Sequence, residues 1–499
     1  MPASTASHWA LVTDWAGTLT DLAGAAGLLG WDRETQMPDG GADGRARQLG
    51  TLAALSHREL VREDVGEALA ALARDPALTT DQAAVVRLAR RRRDRAVRLP
   101  ERLVREISEA GSRGVSAWLA ARRADDFALF REPLQRLVSL KRREAEALEP
   151  EGELYDALLD EYEPEARAAD LEPIFADLRR RLEPLVAEAS ARPAPAMPAR
   201  EWSPDGQAAL ARDLAEMVGF DMARGVIARS EHPFTSTIDA GDVRFTTRVD
   251  PESPLSSISA VMHELGHALY EQGMPGGELA RTPVRDSPSL GAHEAQSRFW
   301  ENHVGLSAGF WIRIEPLMRR RMPEAMAGID HELLHRAATV VRPSLIRVEA
   351  DEVTYNLHII LRFELELAMV RGDLAVADLP GAFADRMQEL LGVRPGTDRE
   401  GAMQDIHWAD GLLGYFPTYT LGSLWAAQLA EAADEELGGL EAAVEAGRFD
   451  AVLAFLRGRV HRHGARLLTP ELMRRATGRE LSADALIAHL SRAHLGRAA

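Results

Sequence analysis

Apolar residues recur three and four positions apart along most of the chain, which is the pattern of amphipathic helices. The stretch from about Arg47 to Ala147 is rich in Ala, Leu, Arg and Glu, and its prolines stand mainly at breaks. A helix is predicted from about Pro204 to Val218, after a proline-rich loop at residues 191–198. From Ser256 almost to the end the pattern is again helical. The chain is therefore expected to be mainly α.

One short region alternates β-branched and aromatic residues instead. Phe234–Ile238 and Val243–Val249 have the composition of strands, and the polar segment Asp239–Asp242 lies between them. Pro251 ends the second strand. This pattern predicts a small β-hairpin within the otherwise helical chain.

Length and composition indicate a self-supporting globular protein. A chain of 499 residues with 46% hydrophobic content can bury a large core without disulfides. We expect one domain over residues 1–499, with an N-terminal helical part to about residue 198 and a second helical part from about 199 to 499. The chain has no cysteine, so any metal must be held by His, Asp or Glu.

Charge and hydropathy exclude two kinds of partner. The net charge of -18 argues against nucleic acid, because phosphate binding needs clustered positive charge. No apolar run is long enough to predict a membrane span. The N-terminus lacks the basic start and unbroken apolar stretch of a signal peptide, so a cytoplasmic location is predicted.

The motif His-Glu-x-x-His stands at His263–His267. A helix has about 3.6 residues per turn, so histidines at i and i+4 share one face and can bind one metal ion. The glutamate beside the first histidine can then act as general base on a water molecule that the metal activates. The pattern is short and arises by chance, and the chain holds a second copy at His331–His335.

Local features favour the first copy. Glu332 of the second copy has Arg336 four residues on and is predicted to form a surface ion pair, whereas the positions four away from Glu264 are alanines. Gly266 costs helix stability but lets a substrate or a neighbouring backbone come close. The first copy also follows the predicted hairpin, whose edge can pair with an extended peptide. The second copy follows Asp330, a good N-cap residue, and has an ordinary amphipathic pattern.

A third ligand is needed, since catalytic zinc commonly takes two histidines and one carboxylate. Ser287–Pro288 is predicted to begin the next helix, with serine as N-cap and proline as the first helical residue. This helix carries His293 and Glu294, and both stand at a workable separation from His267. The usual ligand set favours Glu294 over His293 by a small margin. A hydrogen-bond partner that orients the ligand histidines is also expected, but the residues do not identify it.

These motifs stand within longer blocks that resemble the carboxypeptidase Taq family of metallocarboxypeptidases. The block Gly291–Arg298 follows His263–His267 as in that family, with Ala295 where Ser or Gly is expected. The second pentapeptide is not part of the family pattern. Further similar blocks extend over nearly the whole chain: Leu28–Asp32 with Thr35–Pro38, His232–Phe234, Asp242–Thr246, Ile346–Glu352, Gln404–Trp408 and Gly414–Tyr419.

The resemblance implies a large, mostly helical metallopeptidase fold with a deep groove, and the hairpin would then lie beside the zinc site. It implies a homodimer, a zinc or cobalt ion, and removal of single C-terminal residues from peptides with broad specificity that excludes proline. The metal ligands that it implies are His263, His267 and Glu294, and the general base is Glu264.

Substrate recognition by a carboxypeptidase needs a cation for the free α-carboxylate, and arginine can bind it with paired hydrogen bonds. Arg347 is the first candidate and Arg244 the second. A purely structural alternative for Arg347 is an ion pair with Asp351 at helical spacing.

The developing oxyanion needs a hydrogen-bond donor, a role suited to Tyr or His. His407 and Tyr415 resemble the residues that serve in related peptidases, with Tyr419 in reserve, and His232 is expected to line the same cleft. Trp31 is interpreted as structural.

Two other readings differ in function. An oligopeptidase or dipeptidyl carboxypeptidase would use the same zinc machinery but cut elsewhere in the peptide. A helical scaffold with accidental motifs would bind no catalytic metal, and metal content distinguishes it from an enzyme.

Overall fold

The computed structural model describes residues 4–149 and 151–497, so the first three residues of the segment considered for a signal peptide lie outside it. Helices make up most of the described chain, and the predicted mainly α fold with a small sheet is confirmed. Their bounds are α1 Thr5–Thr35, α2 Ala42–Leu60, α3 Glu63–Leu72, α4 Thr80–Arg98, α5 Glu101–Ala124, α6 Ala128–Leu148, α7 Leu154–Leu159, α8 Ala168–Ala189, α9 Pro204–Val218, α10 Leu255–Gly273, α11 Leu290–Arg298, α12 Ala308–Arg321, α13 His331–Ala338, α14 Tyr355–Arg371, α15 Leu379–Leu391, α16 Pro417–Leu437, α17 Leu440–Glu445, α18 Phe449–Arg459, α19 Thr469–Thr477 and α20 Asp484–Leu495.

The sheet has three strands, β1 Gly225–Arg229, β2 Thr235–Asp239 and β3 Asp242–Thr247, in the order β1-β3-β2. The antiparallel pair of β2 and β3 is the predicted hairpin. Strand β1 was not predicted, and it pairs in parallel with β3. Val243 and Phe245 of β3 are fully buried, and β3 packs against α10. The sheet therefore lies directly on the helix that carries the first His-Glu-x-x-His motif.

Within residues 4–149 and 151–497, buried apolar side chains form one large cluster and two smaller ones. The large cluster runs from Trp118 in α5 to Leu495 in α20 and includes the sheet. The larger of the other two joins α1, α3 and α4 with Val284, which lies between α10 and α11. The division near residue 198 and the single domain remain predictions. None of the helices in the described residues is long and apolar enough to cross a membrane.

Two glycines bring the helices around the first motif into close contact. A Cβ atom at Gly266 of α10 would lie 2.4 Å from the carbonyl oxygen of Gln296 and 2.5 Å from Cα of Ser297, both in α11. A Cβ atom at Gly422 of α16 would lie 2.4 Å from Cγ of Glu294. Helix α11 is thus held between α10 and α16, and the close backbone approach expected at Gly266 is observed.

The predicted start of α11 was wrong by two residues. Ser289, not Ser287, is the N-cap, and its hydroxyl accepts a hydrogen bond from the N–H of Ala292 at 3.0 Å. The hydroxyl of Thr469 donates to the same oxygen at 2.8 Å. Since Thr469 lies 180 residues away, this tertiary contact supports a cap that local sequence could not distinguish from its neighbour.

Candidate active site

Three side chains from α10 and α11 converge on one point. The Nε2 atoms of His263 and His267 lie 3.7 Å and 3.5 Å from Oε2 of Glu294. In the described part of the chain, these three residues form the only group of three or more His, Asp or Glu whose donor atoms all lie within 4.8 Å of one another. The histidines share one face of α10 because they are four residues apart.

The other ring nitrogen of each histidine is already engaged. Nδ1 of His263 lies 2.8 Å from Oε2 of Glu301, which is in the π-helical turn Phe299–Val304 that follows α11. Nδ1 of His267 lies 2.6 Å from Nδ1 of His293, whose Nε2 lies 2.9 Å from Oε1 of Glu271. These contacts orient both rings so that the Nε2 atoms point into the cluster. Glu301, His293 and Glu271 are thus the side chains that orient the two histidines, which the sequence alone did not identify.

The cluster fits a tetrahedrally coordinated metal ion. Zinc bonds of about 2.0–2.2 Å place neighbouring ligand atoms about 3.4 Å apart. The 3.5 Å and 3.7 Å separations measured to Glu294 agree with that spacing. Two imidazoles and one carboxylate, with no cysteine in the chain, form a donor set typical of catalytic zinc.

Electrostatics favour a cation at this point. Burial opposes ionisation of Glu294, but the charges of Arg298 and His263 hold its pKa well below the usual value. Burial lowers the pKa of His267 to about 4, which leaves its ring neutral at neutral pH. At His263 burial is outweighed by the charges of Glu294 and Glu301, which raise its pKa to about 9. Three carboxylates, those of Glu264, Glu294 and Glu301, lie in or beside the cluster, and the arginine that pairs with two of them is Arg298.

Glu264 lies beside this cluster and is 6% exposed. Its Oε2 accepts a hydrogen bond from the hydroxyl of Thr235 in β2 at 2.6 Å. Burial raises the pKa of Glu264, although the charge of His263 and the Thr235 hydroxyl act in the opposite direction. No Lys or Arg side chain among the described residues forms an ion pair with it.

Arg347 lies in a short 3₁₀ turn before α14. The alternative prediction, an ion pair with Asp351, was wrong. The Nε of Arg347 donates to Oδ1 of Asp405 at 2.9 Å, not to Asp351, because the turn does not continue as a helix to residue 351. Arg362 donates to the other oxygen of Asp405 at 2.6 Å. Two guanidinium groups thus share one carboxylate that is 10% exposed, which leaves one positive charge uncompensated within this group. The Arg347 guanidinium also lies 5.1 Å from the ring centre of Tyr419.

The predicted oxyanion donors form an aromatic cluster with Tyr419. Nε2 of His407 lies 3.1 Å from the hydroxyl oxygen of Tyr419. The Tyr415 ring centre lies 5.2 Å from that of His407 and 5.5 Å from that of Tyr419. Burial and the charge of Glu294 raise the pKa of Tyr415, so its hydroxyl stays protonated at neutral pH. Burial lowers the pKa of His407 to about 4.

The structure does not bring Arg244 and His232 into hydrogen bonds with this group. Both Nε and Nη2 of Arg244 donate to the carboxylate of Asp242, at 2.7 Å and 2.6 Å, and its guanidinium lies 5.7 Å from the ring centre of Trp31. His232 is exposed in the loop before β2. Its carbonyl oxygen accepts from the hydroxyl of Ser230 at 2.7 Å.

The family model described as carboxypeptidase Taq (M32) metallopeptidase matches residues 12–494. The chain belongs to this family.

Individual members of the M32 family match over almost their whole length. Thermostable carboxypeptidase 1 of Thermus thermophilus is 43% identical over 94% of this chain and 95% of its own. Thermostable carboxypeptidase 1 of Pyrococcus furiosus is 37% identical over 92% and 93%. The crystal structure of the M32 carboxypeptidase from Deinococcus radiodurans superposes with a TM-score of 0.95 at 38% identity, covering 97% of this chain and 98% of that one. The predicted family and enzyme class, a metallocarboxypeptidase, are confirmed.

The second His-Glu-x-x-His copy does not form such a cluster among the described residues. It occupies α13, where Asp330 is the N-cap as predicted. His331 Nδ1 lies 2.7 Å from Oε2 of Glu315, and its other neighbours do not complete a metal-binding group in the described chain. Glu332 and Arg336 are both exposed. The ion pair predicted between them is not formed in the described part of the chain.

A Glu301→Gln variant is expected to bind zinc about 10- to 100-fold more weakly than wild type. The amide keeps the size of the side chain but removes the charge that faces Nδ1 of His263 and the guanidinium of Arg298. The zinc Kd, measured by competition with a chromophoric chelator, checks this. Glu315→Gln is the matched control, because Glu315 makes the same contact to His331 in the second copy. An unchanged zinc Kd in Glu301→Gln would contradict the expected role.

Proposed function

We propose that the protein is a zinc metallocarboxypeptidase that removes single C-terminal residues from peptides, with broad specificity that excludes proline. The observation that carries this is the convergence of His263, His267 and Glu294 beside the buried carboxylate of Glu264. Cobalt is the alternative metal, since imidazole and carboxylate ligands suit both ions.

His263 and His267, through Nε2, and Glu294, through Oε2, are the proposed metal ligands. When bound, the metal supplies Lewis acidity, which makes a nearby water more acidic and polarises the scissile carbonyl. His293 is assigned to the support of His267, because its two nitrogens already contact His267 and Glu271.

Glu264 is the proposed general base. Its buried carboxylate takes a proton from the attacking water and then passes that proton to the leaving amine. The raised pKa of Glu264 favours proton uptake at this step. The hydroxyl of Tyr415 and the ring of His407 are the proposed donors to the oxyanion, and Tyr419, hydrogen-bonded to His407, holds that ring in place.

Arg347 is the proposed binding group for the substrate α-carboxylate. Asp405 fixes its guanidinium, while the shared pairing with Arg362 leaves positive charge for a further anion. Arg244 is bound on two nitrogens by Asp242, so it is the weaker candidate for this role. His232 is proposed to line the outer part of the cleft, where it is exposed.

The test compares an N-terminally blocked peptide with its C-terminally amidated twin, both followed by mass spectrometry with zinc-loaded protein. The expected result is stepwise loss of single residues from the free-acid peptide only. Release of dipeptides, or internal cleavage of the amidated twin, would instead identify a dipeptidyl carboxypeptidase or an oligopeptidase with the same metal site.

The oligomeric state and the cellular location of the protein are each proposed on a single argument. A homodimer rests on the family resemblance, and light scattering after size exclusion measures it. A cytoplasmic location is proposed because the chain contains no cysteine for disulfides. Cell fractionation with an antibody to the protein tests this location.

A further inference from the structure

The edge strand β2 makes a polar contact with the metal-binding helix through Thr235. The Thr235 hydroxyl lies 2.6 Å from Oε2 and 3.2 Å from the backbone oxygen of Glu264. The strand therefore reaches the proposed base directly.

The position of Thr235 is determined by the sheet and not by the metal helix. Thr235 pairs with Phe245 of β3, and Phe245 is fully buried. A threonine side chain has few χ1 rotamers because it is branched at Cβ. Its hydroxyl is therefore presented to Glu264 from a rigid element.

The contact distinguishes the two carboxylate oxygens of Glu264. Oε2 is engaged by Thr235, whereas Oε1 accepts no hydrogen bond from any described residue. A carboxylate held at one oxygen cannot rotate freely about its terminal torsion. The other oxygen then keeps one direction, which is what proton transfer from a positioned water needs.

We propose that Thr235 is a positioning residue for Glu264, which holds Oε2 so that Oε1 faces the reacting water. This inference rests on the proposed role of Glu264 as general base. Thr235 touches neither the three proposed metal ligands nor Arg347 by any hydrogen bond among the described residues. Its loss should therefore affect the rate of the chemical step and spare both metal binding and substrate binding.

Thr235→Val removes the hydroxyl and keeps the shape of the side chain, while Thr235→Ser keeps the hydroxyl. With zinc-loaded protein and a blocked free-acid peptide, kcat of Thr235→Val is expected to fall about 10- to 100-fold. KM should stay within about twofold, with unchanged zinc content and thermal midpoint, and Thr235→Ser should recover most of the loss. Ser236→Ala is the matched control, since its side chain lies on the opposite face of the same strand.

A double-mutant cycle with Glu264→Gln separates this inference from the proposed function. In the Glu264→Gln background, Thr235→Val should cause no further loss of kcat. If Thr235→Val keeps wild-type kcat while Glu264→Gln is inactive, the positioning role is wrong and the base assignment stands. The positioning role is also overturned if Thr235→Ser is as slow as Thr235→Val, or if the loss lies in KM or zinc content. If Glu264→Gln is fully active, the base assignment itself fails.

Discussion

A Glu264→Gln variant is expected to hydrolyse peptides about 10²- to 10⁴-fold more slowly than wild type while it still binds zinc. The amide keeps the size of the carboxylate and its oxygen can still accept the Thr235 hydroxyl, but it cannot take a proton from water. The substitution removes no donor from the group formed by His263, His267 and Glu294. It therefore separates the loss of the base from the loss of the metal.

The measurement is kcat on a blocked free-acid peptide, together with zinc content by elemental analysis. Glu332→Gln is the matched control, because it makes the same change at the same motif position of the second pentapeptide, on an exposed site. This control should retain wild-type kcat. Full activity in Glu264→Gln would refute the base assignment, and inactivity of Glu332→Gln would direct attention to His331 and His335.

The helices were predictable where local residues determine their ends. Helix α9 begins after Ser203, whose hydroxyl accepts from the N–H of Gly206, and ends at Gly219 with a φ of 90°. Both capping residues, Ser203 and Gly219, are adjacent to the helix in sequence, so the bounds Pro204–Val218 could be predicted. Strand β1 was missed because its five residues show no alternation of buried and exposed positions. Its pairing with β3 depends on a contact that is distant in sequence.

In the candidate site, too, the residues set by local spacing were predictable and those set by contacts between elements were not. His263, Glu264 and His267 follow from helical spacing on one element. Glu301 contacts His263 from a π-helical turn, and such a turn changes which side chains share a face of the helix. No sequence pattern predicted that turn. Thr235 reaches Glu264 only because the sheet packs on α10. Contacts between separate elements were therefore the part that sequence reasoning could not supply.

An Arg347→Met variant is expected to lose most of the preference for a free C-terminus. A hydrogen-bonded contact to a charged group contributes about 1.5–3 kcal/mol, which corresponds to a fall of about 10- to 150-fold in kcat/KM for the free-acid peptide. Methionine keeps much of the length of the side chain without its charge. Asp405 keeps its contact with Arg362 in this variant, so its carboxylate is not left unpaired.

The variant should act through KM, because the α-carboxylate is bound in the ground state as well as during reaction. The decisive measurement is the ratio of kcat/KM for the free-acid peptide to that for its amidated twin, with the thermal midpoint as a check on folding. Arg244→Met is the matched control, since Asp242 already engages both Nε and Nη2 of that arginine. If Arg244→Met lowers the ratio and Arg347→Met leaves it unchanged, the two arginines exchange roles. If neither changes it, the free carboxylate is recognised by another group, and the uncompensated charge at Arg347 and Arg362 serves only to hold Asp405 ionised.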